Sequence, residues 1–156
     1  MADQAKTFMV ENATLIFRNF SGKEGQYNRE GDRNFAVILD PDTAEKMLAD
    51  GWNVRSLGAR EEGDEDTPYI QVSVSFKNRP PRIVMITSNA RTTLDEAAVE
   101  VLDWAEIRVA DLIARGYEWN VNGKTGTKAY LQSLFVTIEE DALERKYATY
   151  GDDLGE

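Results

Sequence analysis

Residues 107–138 constrain this chain more than any other stretch. Ile107 to Trp119 and Thr127 to Ile138 are two runs of strand-forming residues around Asn122-Gly123-Lys124-Thr125-Gly126. Asn and Gly accept the positive backbone angles of a tight reversal, so the spacing predicts an antiparallel hairpin. A lone hairpin is marginal in water and needs further strands or a helix against its apolar face. The rest of the chain supplies them. Ile70, Val72, Val74 and Phe76 alternate with Tyr69, Gln71, Ser73 and Ser75, which predicts a half-buried strand over 69–76.

Lys6 to Arg18, rich in Phe, Val, Leu and Ile, reads as a first strand. Residues 19–32 are polar with three glycines and read as a long loop, followed by a second strand from Arg33 to Leu39. Asp40-Pro41-Asp42 opens a short helix, Thr43 to Ala49, with Gly51 beyond its end. Short strands are expected over Trp52 to Leu57 and Ile83 to Thr87. Thr93-Leu94-Asp95-Glu96 has the form of a capping box and predicts a helix to about Ala105. Leu94, Ala98, Val101 and Leu102 would share its inner face. Ala142 to Tyr150 is expected to form a last short helix.

This order predicts a mainly β fold with two or three short helices. Strands, then a helix, then a two-stranded return is the order of an OB-fold-like β-barrel, a partly open Greek-key barrel. A different β-sandwich would share the string. At 156 residues we expect one domain over 1–147, with 41–67 as an insertion and 148–156 as a flexible acidic tail. The two loops that such a barrel turns toward oligonucleotides would be 19–32 and 120–126.

The chain has no cysteine and no histidine. Disulfides, thiolate or imidazole zinc sites and Ser-His-Asp or Cys-His catalysis are therefore excluded. No apolar run reaches the roughly 20 residues of a membrane span, and the first six residues lack the apolar core of an export signal. No membrane partner is expected.

The net charge of −10 is unevenly placed. Residues 60–66 carry five acids and one base, and 139–156 carry seven acids and two bases, so the remainder is nearly neutral. Against that background, 76–91 holds Lys77, Arg79, Arg82 and Arg91 with no acid. A basic stretch beside aromatics suits a polyanion with exposed bases, though solvated loop charges are the plain competitor.

Two constellations carry that chemistry. In the hairpin, a loop centred on Gly123-Lys124 would set Tyr117 opposite Tyr130, Trp119 opposite Lys128 and Arg115 opposite Gln132. One face would then gather three aromatics and two bases, with Lys124 at the tip. The second runs from Phe17-Arg18-Asn19-Phe20 through Lys23, Tyr27, Arg29 and Arg33 to Phe35. There Arg suits phosphates and ring faces suit bases, with Phe20 and Tyr27 in the loop and Phe17 and Phe35 expected in the core. Gly123-Lys124-Thr125 is no P-loop, because Glu118 stands where its first glycine belongs. Residues 61–66 lack EF-hand spacing, and no metal or cofactor is expected.

Glu11-Asn12-Ala13, Phe17-Arg18-Asn19-Phe20-Ser21-Gly22-Lys23-Glu24-Gly25 and Asn28-Arg29-Glu30-Gly31-Asp32-Arg33-Asn34-Phe35 stand out. With Phe76-Lys77-Asn78-Arg79-Pro80-Pro81 and Tyr117-Glu118-Trp119 before Asn122-Gly123-Lys124, the chain resembles the single-stranded DNA-binding proteins of tailed bacteriophages. The likeness spans roughly residues 8–147. It implies an OB fold and a sequence-tolerant groove, in the cytoplasm of an infected bacterial host. It also implies an acidic C-terminus that recruits replication or recombination proteins or competes with DNA. Related tails often end in an aromatic, whereas this one ends Asp152-Asp153-Leu154-Gly155-Glu156. Leu154 is then the one apolar candidate beside Asp152 and Asp153.

The expected function is non-enzymatic binding of single-stranded DNA. Arg18, Lys23, Arg29, Arg33, Lys77, Arg79, Arg82 and Lys124 would contact the backbone, with Lys128 in the hairpin patch. Phe20, Tyr27, Tyr117, Trp119 and Tyr130 would stack on bases. The alternatives are an acidic protein that mimics DNA toward a nucleic-acid enzyme, and a carboxylate-metal nuclease. A homodimer is left open.

Overall fold

The computed structural model describes residues 6–26, 28–58, 67–77, 79–88 and 90–139. Tyr27, the acidic run 60–66, the expected helix at 142–150 and the tail residues Asp152, Asp153 and Leu154 lie outside them. Nine strands form one mixed sheet: β1 (Thr7–Val10), β2 (Leu15–Asn19), β3 (Arg33–Ile38), β4 (Val54–Leu57), β5 (Thr67–Val74), β6 (Arg82–Ile86), β7 (Arg91–Thr93), β8 (Ile107–Val121) and β9 (Lys124–Ile138). The helix α1 (Pro41–Ala49) and a 3-10 turn of helix over Val99–Asp103 complete the described elements.

The main path runs β1-β8-β9-β5-β3-β2, an open mixed sheet of OB-like form. Its two ends belong to one stretch of chain. The single strand expected over 6–18 is broken into β1, which pairs with β8, and β2, which pairs with β3. The break falls at Asn12, whose φ of 51° turns the chain and whose N–H donates to Asp111 Oδ1 at 2.8 Å. Bending one segment across both ends is how the sheet curls toward a barrel without a continuous first strand.

Alternation decides the faces. Phe35, Val37, Ile70, Val72, Leu112, Ala114, Ala129 and Leu131 are buried on the inner face. Gln71 and Ser73 point the other way, as their place in the alternation predicts. Strand β5 stops at Val74, and Phe76 just beyond its end is half-buried and packs against the core from there.

The helix α1 starts as its sequence predicts. Asp40 caps it, accepting from the Thr43 N–H and the Thr43 hydroxyl, both at 2.8 Å. Those bonds hold the Asp40 carboxyl below its ordinary value of 3.8. The capping contribution is present above that unfolded value and is lost as pH falls through the lower folded one.

The capping-box expectation is corrected. Thr93 ends β7, and the segment beyond it forms a short 3-10 helix instead of a helix to Ala105. Asp95 Oδ1 does accept from the Ala98 N–H at 2.9 Å, but β-branched Val99 and Val101 follow and are poor continuers of an α-helix.

Candidate nucleic-acid interface

The hairpin turns one residue earlier than expected, which shifts every pairing by two residues. Val121 pairs with Lys124, so Asn122 and Gly123 alone form the loop, with φ of 52° and 81°. Both central angles are positive, the mark of a type I′ turn, whose twist suits the flanking strands. Tyr117 therefore faces Lys128, Arg115 faces Tyr130 and Trp119 faces Gly126. The expected partners were each one rung off. A slip of two keeps every side chain on its face, and only an odd slip would reverse them.

Three successive rungs thus share one face: Trp119 with Gly126, Tyr117 with Lys128, and Arg115 with Tyr130. Tyr117 and Tyr130 meet edge to face across the diagonal at 6.3 Å. Lys128 Nζ stands 5.1 Å from the Tyr130 ring centre. Glycine at 126 is what lets Trp119 lie down across β9. A Cβ there would stand 2.7 Å from Trp119 Cζ2 and 2.5 Å from Asn53 Oδ1. Lys124 continues the same face to the tip.

Beyond Tyr130 this face turns into a groove. Strand β9 meets β5 in parallel, with Ser73 beside Tyr130. A cleft of about 330 Å³ opens there, lined by Arg33, Ser73, Phe76, Lys77, Lys128 and Tyr130 among others. A second cleft of about 260 Å³ shares Gln71, Ser73 and Lys128 with it and extends to Asn53 and Arg55. The two adjoin at Gln71, Ser73 and Lys128, and together they are called the trough below.

Arg33 is the most closely held cation of the trough. Its guanidinium lies 5.8 Å from the Phe76 ring centre and 3.3 Å from Glu96 Oε1, while its Nε is buried without a hydrogen-bond partner. Glu96 is 60% exposed, so this pair is weakly held and competes with any incoming anion. Lys77 and Lys128 are exposed on the trough's walls. Arg79 lies close by, its carbonyl accepting from Arg115 Nη2 at 3.4 Å.

The 19–32 loop forms a side wall and is organised by two asparagines. The Asn28 amide donates to the carbonyls of Lys23, Arg29 and Asp32 at 2.8–3.0 Å, and accepts from Asn34 at 2.8 Å. Asn19 brackets Lys23 through two further bonds. Lys23 and Arg29 are held exposed on this loop.

Three of the expected contacts do not line the trough. Phe20 is fully buried and stacks on Phe35 at 5.0 Å, so no base reaches its ring. Its N–H donates to Asp103, as does that of Ser21, which pulls the residue inward from the loop. Arg18 is committed to the carbonyls of Leu102 and Ala105 at 2.9 and 2.7 Å. It closes the end of the 3-10 helix, away from the trough. Arg82 sits beyond the β-bulge of the hairpin, its guanidinium 5.6 Å from the Phe135 ring centre. Tyr27 lies outside the described residues.

Arg55, Asn53, Gln71 and Phe76, absent from the expected set, also line the trough. Gln71 was legible as an outward position. Arg55 was not, because its place depends on β4 pairing with β5. Among the described residues no cluster of three acids is placed to hold a metal ion.

A family model described as "Putative phage ssDNA-binding domain" matches residues 2–152. Among solved structures, the chain is similar to the single-stranded DNA-binding protein from bacteriophage Enc34 in complex with ssDNA. The TM-score is 0.56 at 10% identity, over 86% of this chain and 88% of that one. A second structure of the Enc34 protein gives 0.55 at 11% identity, over 86% and 82%. At such identities the likeness speaks for the fold. No curated protein sequence matches the chain.

Proposed function

Because the chain belongs to the family of phage single-stranded DNA-binding domains, we propose that it binds single-stranded DNA along the trough, without reading its sequence or reacting with it. One observation carries this assignment of the site. Lys128 and Tyr130, paired across the hairpin with Tyr117 and Arg115, line one open cleft together with Arg33, Phe76 and Lys77. Rings contribute roughly 1–3 kcal/mol per stacked base whatever the base, and cations meet the phosphates that every nucleotide carries. That combination favours a strand whose bases are unpaired and free to turn toward the sheet.

In this reading Tyr117, Trp119 and Tyr130 stack, while Arg33, Arg55, Lys77, Arg79, Lys124 and Lys128 hold the backbone, with Lys23 and Arg29 on the loop wall. Residues 1–147 act as one OB-like unit. The acidic end at 148–156, with Asp152, Asp153 and Leu154, recruits replication or recombination proteins. Coating strands exposed while phage DNA is copied or recombined, inside the infected cell, is the role that follows.

Titration with poly-dT, duplex DNA and RNA at two salt concentrations tests this, read by tryptophan emission. Poly-dT should quench Trp119, and affinity should fall with salt at a log–log slope of about −0.7 per phosphate neutralised. Binding indifferent to salt, or tighter to duplex than to poly-dT, would overturn it.

A further inference from the structure

Strand β2 breaks its pairing with β3 between Ile16 and Asn19, and Phe17 occupies the break with a φ of 51°. A bulky residue rarely adopts this left-handed backbone. Phe17 was expected in the core, yet it is 61% exposed. An irregularity on an edge strand protects that edge from pairing with other chains, but a polar residue or glycine would do so at less cost. Keeping a large exposed ring on strained backbone points to a contact that the isolated chain does not make.

The ring is not isolated. It meets Tyr69 edge to face at 5.9 Å and 76°. Tyr69 lies on the outer side of β5, in line with Gln71 and Ser73, and Arg55 is its partner across β4. Arg55, Gln71 and Ser73 all line the trough, and Ser73 stands beside Tyr130. Two residues of strand advance about 6.7 Å, so Tyr69 and Ser73 are about 13 Å apart along one straight path.

We propose that Phe17 and Tyr69 form a second base-stacking platform at the far end of the trough, with Arg55 holding the backbone phosphate between the two platforms. A bound strand then lies along β5 from Tyr130 to Phe17. This inference rests on the single-strand reading and extends it, because it sets how long a strand must be to engage the whole site.

Oligothymidylates stepped from about 4 to about 16 nucleotides, the range of sites on folds of this type, provide the test. The proteins compared are the wild type, Phe17→Gly and Phe17→Trp. Glycine suits the left-handed angle, so the melting midpoint of Phe17→Gly should not fall. The wild type should gain affinity in two stages as length grows. Phe17→Gly should match it on short strands and lose roughly 5- to 150-fold on long ones, and Phe17→Trp should restore the second stage. Equal affinity of Phe17→Gly and wild type at every length overturns the platform and leaves the trough intact. So does an equal loss at every length. Failure of the wild type to bind oligothymidylate at any length instead overturns the single-strand reading itself.

Discussion

Residues 17–35 and residues 115–130 look alike as sequence, each interleaving rings with cations, and the fold treats them oppositely. At the root of the 19–32 loop, Phe20 is sealed against Phe35 and Arg18 is bonded to two carbonyls. On the hairpin, Tyr117 is 61% exposed and Lys128 and Tyr130 face an open trough. Composition therefore says little about which ring meets a ligand. What separates the two regions is the range of the forces acting on them. The hairpin residues answer to neighbours one rung away, whereas Phe20 and Arg18 answer to a 3-10 helix more than 80 positions along the chain.

The sharpest way to break this contrast is Phe20→Ala. Deleting a fully buried aromatic should cost about 3–5 kcal/mol of stability, measured by denaturant unfolding. The fraction that stays folded should bind DNA as before; lost binding with unchanged stability would return Phe20 to the interface. Asp103→Ala should follow at about 1–3 kcal/mol, because the Phe20 and Ser21 N–H groups lose their acceptor. Faster amide exchange at those two residues would mark the cause.

On the hairpin the signs reverse. Tyr130→Ala should leave the melting midpoint nearly unchanged and weaken oligothymidylate binding by about 1–3 kcal/mol, or roughly 5- to 150-fold. A large stability loss there would mean that the ring is structural. The smallest effect sharpens the picture most. Lys128→Gln should reduce the salt slope of binding by about 0.7 while keeping the preference for unpaired strands. An unchanged slope would place Lys128 off the phosphate path.

Much of the architecture was legible because strand faces follow a period of two. Residues 69–76 declared their inner and outer sides, and Asn122-Gly123 declared the reversal. Even the register error at the hairpin preserved the face, since it was a slip of two. The capping box misled because Thr-x-x-Glu describes a start and says nothing of how far a helix runs. Half of the site was visible for the same local reasons: Tyr117, Trp119, Lys128 and Tyr130 share a face by spacing alone. Arg55, Phe76 and the exposed Phe17 were not visible, because each depends on where a strand stops, bulges or finds its partner.

Local pattern by itself determined a β-rich chain with a long terminal hairpin, its polar and apolar sides, and a body whose acidity is confined to two segments. Tertiary structure alone decided that the first strand bends to serve both ends of the sheet, that Phe20 goes inward and Phe17 outward, and that β5 forms the floor of the trough. The physical reason is one of distance. Side-chain alternation and turn chemistry act within a few residues, whereas burial and strand pairing depend on segments that come together only when the whole chain has folded.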